Sequence, residues 1–103
     1  MKSIFAITIL LPIVLAQTGT TWFSCDVRGT GPLEFRETPR VASPIIGYFA
    51  PSTRLMLACY SVTEPGGCGD SNVWYKEAYH NVYIPSNCVQ NCTGGTSAGM
   101  KSC

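Results

Sequence analysis

Hydrophobic and polar positions alternate with a period of two along the centre of the chain, the pattern of a β-strand with one buried face. Residues 54–62 divide into two faces, with Leu55, Leu57 and Cys59 on one and Met56, Ala58 and Tyr60 on the other. This segment is rich in aliphatic and aromatic side chains and ends before a run of turn-forming residues. We therefore predict a strand over residues 54–62.

The same pattern recurs further along the chain. Residues 73–79 predict a second strand, in which Tyr75 and Tyr79 lie opposite Trp74 and Lys76, and residues 81–85 predict a short third one. Clusters of Gly, Pro, Ser and Asn interrupt the chain so often that a helix of ordinary length does not fit between them. The sequence therefore predicts an all-β barrel or sandwich.

Two turns can be placed from the residues that punctuate these strands. Gly47 and Pro51 are expected to frame a tight reversal between Ile45 and the strand that contains Leu55. His80 falls between the second and third predicted strands, as an exposed turn residue.

The amino-terminal residues have the composition of a secretory signal peptide. A basic start is followed by an apolar stretch that is too short to span a bilayer, which takes about 20 residues, and Val14 and Ala16 give a small-residue cleavage pattern. We predict that residues 1–16 are removed and that residues 17–103 form one secreted domain. No membrane association is expected after cleavage.

All six cysteines lie beyond this segment, in a chain directed to an oxidising compartment. An even set in a small secreted domain predicts three disulfides among Cys25, Cys59, Cys68, Cys88, Cys92 and Cys103. Zinc is the alternative, because Cys88 and Cys92 have ligand-like spacing. A second cysteine pair at matching spacing is missing and His80 is the only histidine, so neither a metal nor another cofactor is expected.

The balance of charge argues against highly charged partners. Removing Lys2 with the signal peptide leaves six basic against six acidic side chains, so neither nucleic acid nor an anionic membrane is an expected ligand. The densest charge cluster, residues 34–40, mixes both signs and predicts a salt-bridged strand and loop. The Gly- and Ser-rich tail that follows Thr93 ends in Cys103, so we expect a tail tethered by a disulfide.

Catalytic chemistry is poorly represented, whereas aromatic side chains are plentiful. No nucleophile is placed beside His80 and no two carboxylates are held in register, so we expect no enzymatic activity. Partly exposed rings can stack on sugars and pack against peptides. The candidates for ligand binding are Tyr48, Tyr60, Trp74 and Tyr83, with the reservation that Trp74 and Tyr75 face opposite ways and one of them belongs to the core.

A formal glycosylation acceptor is present at Asn91, followed by Cys92 and Thr93. Disulfide formation at Cys92 and glycan transfer to Asn91 compete for the same short segment.

Several motifs together resemble the bacterial-type SH3 (SH3b) domain. They are LEFRETP at residues 33–39, SPIIGY at 43–48, TRLML at 53–57, VWYK at 73–76 and VYIPS at 82–86. The resemblance covers residues 25–89 and implies a small SH3-like barrel, here cross-linked by disulfides. LACY at 57–60 and the closing KSC at 101–103 are similar to SH3-like modules of secreted fungal proteins.

That fungal subfamily commonly carries cysteines where this chain has Phe35 and Val82. Their joint absence implies that those two are partners in the subfamily and that Cys59 pairs with Cys103 here. The other four cysteines then allow three pairings. A bond from Cys59 to Cys68 across the Glu64 turn is the leading rival.

The resemblance implies a stand-alone secreted module that binds cell-wall glycan or peptide in bacterial or fungal walls. Two other roles stay open: a small disulfide-rich effector that acts on a host or competitor protein, and the detached binding domain of a wall-lytic enzyme. The sequence does not determine the oligomeric state.

Overall fold

The computed structural model describes residues 23–94 and 100–103. Residues 1–22, which include the predicted signal peptide, and residues 95–99 lie outside this description. The strands are β1 Phe23–Val27, β2 Leu33–Arg36, β3 Ile45–Phe49, β4 Arg54–Val62, β5 Val73–Glu77, β6 Val82–Pro85, β7 Val89–Gly94 and β8 Lys101–Ser102, with a single-turn 3-10 helix at Ser86–Cys88. Within the described residues, no helix has the length and apolar character needed to cross a bilayer.

The strands form one sheet in the order β3-β2-β6-β5-β4-β1-β7, and β8 pairs with β4. All pairings are antiparallel except the parallel pairing of β8 with β4. The predicted all-β class is confirmed. In the part of the chain that the structure describes, β3 and β7 do not pair, so backbone hydrogen bonds do not close the sheet into a barrel.

The main core lies on one face of this sheet, where β1 packs beside β4. Phe23 and Cys25 of β1 stand opposite Leu57 and Leu55 of β4, and all four side chains are buried. Phe23 also contacts the ring of Tyr75 edge-on, at 5.4 Å between ring centroids. Burial raises the pKa of the Tyr75 phenol.

The predicted strand at residues 54–62 is confirmed as β4, but a bulge changes its faces. Leu57 stands opposite Glu77 and Cys59 opposite Lys76, so Ala58 is an extra residue. One extra residue reverses which face the following side chains occupy. Tyr60 therefore packs against the main core, and Cys59, predicted to share the face of Leu55 and Leu57, is not part of that core cluster.

The second predicted strand is two residues too long, because a turn begins after Glu77. The carboxylate of Glu77 accepts hydrogen bonds from the backbone N–H of His80 at 2.7 Å and contacts His80 Nδ1 at 2.8 Å. Asn81 takes a left-handed conformation, with φ of 56°. The chain then reverses into β6, and Tyr79 lies in the turn and not in the strand.

The reversal before β4 is also placed differently from the prediction. Gly47 lies inside β3, and the turn is made at residues 50–53, where Pro51 sits as predicted and Ser52 has a φ of 64°. Glycine is needed at position 47 for space: a Cβ atom there would stand 2.5 Å from Cζ of Phe35, its cross-strand partner.

Three disulfides join Cys25 to Cys92, Cys59 to Cys103 and Cys68 to Cys88. The bond between Cys59 and Cys103 is the one that the resemblance implied, and the rival bond from Cys59 to Cys68 is not formed. With β8 paired to β4 and Met100 buried in the core, this bond holds the end of the tail on the domain.

Candidate functional site

A small second core lies on the other face of the sheet, around Trp74. The loop between β4 and β5 (residues 63–72, here the covering loop) crosses this ring, and Trp74 Nε1 donates a hydrogen bond of 2.8 Å to the carbonyl oxygen of Glu64. A Cβ atom on Gly66 would stand 2.5 Å from Cζ2 of Trp74. Only a residue without a side chain allows the loop to lie this close to the ring.

The covering loop is held at two further places. The side chain of Glu64 accepts a hydrogen bond of 2.9 Å from the backbone N–H of Val41, and Thr63 Oγ1 donates to the carbonyl oxygen of Pro39. The disulfide between Cys68 and Cys88 fastens the middle of the loop to the 3-10 helix. These bonds fix the loop above the sheet at its start and at its middle.

A cleft of about 410 Å³ lies beside the covering loop, on the same face of the sheet. It is lined by Pro32, Leu33, Glu34, Arg36, Tyr48, Gly67, Cys68, Trp74, Pro85 and Cys88. Its size falls within the range of small-molecule sites, and its walls offer polar and apolar surface in similar measure.

The polar groups of the cleft are two charges of opposite sign on β2. Arg36 Nη2 donates to Glu34 Oε1 at 2.8 Å, and Arg36 Nη1 donates to the carbonyl oxygen of Ser43 at 2.9 Å. Glu34 and Arg36 are two residues apart in one strand, so their side chains share a face. The salt-bridged strand predicted for residues 34–40 is found here.

Tyr48 is the predicted ligand residue that the structure places at the cleft with an exposed ring. It is 59% exposed and stands directly opposite Glu34 in the pairing of β2 with β3. Directly opposite residues on a sheet face have Cβ atoms about 5 Å apart. The ring and the carboxylate can therefore contact the same small ligand.

Trp74, in contrast, is a core residue. Its exposed fraction is 0%, so it forms the floor beneath the cleft and its ring is closed to a ligand. The expectation of a partly exposed ring at this position is wrong, because the covering loop buries a side chain that the sheet alone would leave on its surface.

The other two predicted rings lie outside the cleft lining. Tyr60 is half-buried against the main core, on the opposite face of the sheet. Tyr83 shares the face of the cleft, since it stands opposite Arg36 in β2 and Lys76 in β5, with Lys76 Nζ 6.0 Å from its ring centroid. Only Tyr83 is placed to extend the surface around Tyr48.

Sequence reasoning missed Pro32, Leu33 and Pro85 as walls of the cleft, and treated Glu34 and Arg36 as solvated charges. A local signal existed for the charged pair, because a spacing of two puts both on one strand face. The sequence gives no signal for the apolar walls, since Pro32 and Pro85 are brought to one cleft by the pairing of β2 with β6.

The six cysteines and His80 have bonding partners within the protein. Each of the six cysteines is in a disulfide, so Cys88 and Cys92, the zinc alternative, are bonded to different partners. His80 contacts Glu77, which is only 2% exposed. The centroid of the His80 ring lies 5.8 Å from the centroid of the Phe49 ring. Among the described residues, no group of three or more His, Cys, Asp or Glu side chains is placed to hold a metal ion.

The glycosylation acceptor lies in a polar network on β1, β4 and β7. Asn91 is exposed, and its side-chain nitrogen donates to Asp26 at 3.3 Å. Arg54 bonds to Asp26 at 3.0 Å and also reaches the backbone of Asn91 and the hydroxyl of Thr93. The hydrogen bond from Arg54, and after it that from Asn91, lowers the pKa of Asp26.

A scan against protein-family models matches no family, and a search of the curated proteins finds no relative of this chain.

Proposed function

We propose that this protein is a secreted, non-catalytic binding module that attaches to cell-wall glycan or peptide through the cleft beside Tyr48. The observation that carries the proposal is the pairing of an exposed Tyr48 ring with a preformed cleft of about 410 Å³. Aromatic rings of this kind supply much of the contact energy in binding sites, and a few placed polar groups give orientation.

Three further observations support it. The motifs described above resemble those of SH3b domains, whose role is attachment. Three disulfides in so small a domain are typical of extracellular proteins. All six cysteines are in disulfides, so none of them offers the free thiol that the nucleophile of a thiol enzyme requires.

The test is retention on insoluble wall polymers. The full-length secreted protein is incubated with peptidoglycan, chitin and β-glucan, and the bound fraction is measured at low salt and in 1 M NaCl. We expect retention on at least one polymer at both salt concentrations, because the chain has little net charge to attract a charged polymer. Tyr48→Ala is expected to weaken retention about tenfold, or ~1.4 kcal/mol.

Tyr79→Ala is the matched control, since it removes an exposed tyrosine ring that does not line the cleft. Circular dichroism of both variants establishes that each is folded. Absence of retention on all three polymers, or equal retention of the Tyr48→Ala variant and the parent, would contradict the proposal.

One observation favours a second function, that of a protein-interaction module. The edge strand β3 carries no charged side chain, and Ile45 and Ile46 are exposed on it. Exposed strand edges of this kind can pair with an extended segment of another protein. Loss of partner binding in an Ile46→Lys variant that still binds wall polymer would separate the two functions.

A further inference from the structure

The charges in the cleft cancel each other. Arg36 donates to the carboxylate of Glu34 at 2.8 Å, and these are the two charged residues that line the cleft. A cation that approaches Glu34 also meets Arg36, and an anion that approaches Arg36 also meets Glu34. A ligand with a net charge therefore gains little electrostatic attraction from this site.

The same pair offers fixed hydrogen-bonding groups to a neutral ligand. The second bond of Arg36, to the carbonyl oxygen of Ser43, holds the guanidinium in place, and the Arg36 side chain is 17% exposed. The Glu34 side chain is 45% exposed, and its bond to Arg36 uses Oε1. Oε2 can accept a hydrogen bond from a ligand hydroxyl, because a carboxylate has acceptor sites on both oxygens.

The accessible aromatic ring of the cleft is that of Tyr48, which lines it together with the apolar side chains of Pro32, Leu33 and Pro85. Tyr48 stands opposite Glu34, so a ligand of the size of one ring can contact both. The best fit is a ligand with an apolar face and a rim of hydroxyl groups, which is the chemical character of an uncharged sugar ring. A tyrosine ring can pack against such a C–H face, and its hydroxyl can form a hydrogen bond at the rim.

We infer that the cleft recognises an uncharged sugar unit of a neutral glycan, with its apolar face on Tyr48 and its hydroxyls on Glu34. This inference rests on the proposed function and narrows the proposed ligand from glycan or peptide to glycan alone. Proline-rich peptides dock in grooves lined by several aromatic rings. Here the covering loop closes Trp74 to the ligand and leaves Tyr48 as the accessible ring of the cleft.

The test is a titration of the intact protein followed by NMR chemical shifts. The probes are chitohexaose and laminarihexaose as neutral glycans, a polygalacturonate oligomer as a charged one and a proline-rich decapeptide. We expect a neutral glycan to bind and to shift the signals of Tyr48 and Glu34, with an affinity that changes less than about twofold between low salt and 1 M NaCl.

Two variants isolate the contacts. Tyr48→Ala is expected to weaken neutral-glycan binding about tenfold, whereas Tyr48→Phe, which keeps the ring, is expected to stay within about threefold of the parent. Glu34→Ala removes the carboxylate that accepts the hydrogen bond from the ligand, and it is also expected to weaken neutral-glycan binding about tenfold. Tyr79→Ala is the control outside the cleft, and it should bind as the parent does.

The possible failures are distinguishable. Retention on peptidoglycan that is lost when an amidase removes its stem peptides would overturn the glycan assignment and keep the wall-binding function. Tighter binding of the decapeptide than of either hexasaccharide would also overturn the glycan assignment. Tighter binding of polygalacturonate would overturn the neutral-ligand assignment alone. Absence of binding to every probe and every insoluble polymer would overturn both proposals.

Discussion

At the scale of single residues, Trp74 and Tyr48 have opposite roles although both lie on the cleft face of the sheet. Trp74→Ala is expected to lower the free energy of unfolding by about 3–5 kcal/mol, because it empties the space under the covering loop. Trp74→Phe should lower the free energy of unfolding by less, since it keeps an aromatic ring and loses mainly the hydrogen bond to Glu64. Urea unfolding curves measure both values.

Tyr48→Ala is the matched control for this prediction, because it removes an exposed ring and should change the free energy of unfolding by no more than about 0.5 kcal/mol. An equal loss in the Trp74→Ala and Tyr48→Ala variants would show that the covering loop does not depend on the buried ring.

Asp26 gives a pH-dependent prediction. The hydrogen bond from Arg54, and then that from Asn91, lowers the pKa of Asp26 in the folded protein. The unfolded chain therefore takes up a proton at a higher pH than the folded one. The stabilising effect is complete above the ordinary pKa of a free aspartate, about 4, and is lost as the pH falls through the lower pKa of the folded state.

The measurement compares the parent with Asp26→Asn across pH 2 to about 7. We expect the difference in unfolding free energy between the parent and Asp26→Asn to shrink below about pH 4 and to stay constant above that pH. Asp70→Asn, in the exposed part of the covering loop, controls for the removal of a negative charge. A difference that persists unchanged to pH 2 would mean that Arg54 does not stabilise the Asp26 carboxylate.

At the scale of elements, the covering loop is the part whose position decides the site. The bond between Cys68 and Cys88 closes a segment with a sequence separation of 20 residues. In the chain-entropy account, this stabilises the fold by about 3 kcal/mol. Replacing both cysteines by Ser should cost about that much and also weaken ligand binding, because Cys68 and Cys88 line the cleft.

The matched variant replaces Cys59 and Cys103, whose separation of 44 residues predicts a larger loss of about 4 kcal/mol. These two cysteines are not part of the cleft lining, so ligand binding by the folded protein should persist. Urea unfolding and NMR titration with chitohexaose measure the two effects. Equal effects of the two replacements on binding would refute the role given to the Cys68 bond.

The bulge in β4 is the element that sequence patterning misjudged. The alternation from Leu55 to Cys59 is continuous in the sequence, and nothing local marks Ala58 as an extra residue. The bulge lies just past Leu57, the residue at which β4 stops pairing with β1 and starts pairing with β5. It turns Tyr60 toward the main core and Cys59 toward Cys103.

At the scale of the whole molecule, two small cores lie on opposite faces of one open sheet. The main core includes buried residues of β1, β4 and β6, and the second is Trp74 under its loop. A domain this small has a high ratio of surface to volume and buries little apolar area. Disulfides offset this deficit, and here each one joins parts of the chain that are distant in sequence.

The sequence by itself determined the all-β class, β4 and β6 with errors of at most one residue at their ends, and the involvement of all six cysteines in disulfides. These features are local or compositional: alternation with a period of two specifies a strand, and turn residues specify where it stops. The turn at His80 followed from the same rules.

Only the tertiary structure decided which aromatic rings are accessible and how the cleft is built. Tyr48 and Trp74 lie on the same sheet face, and the fold of the covering loop buries Trp74 and leaves Tyr48 exposed. The pairing of β2 with both β3 and β6 brings Glu34, Tyr48 and Pro85 to one cleft. Exposure and long-range strand pairing depend on contacts between distant segments, and the local pattern of a strand carries no information about them.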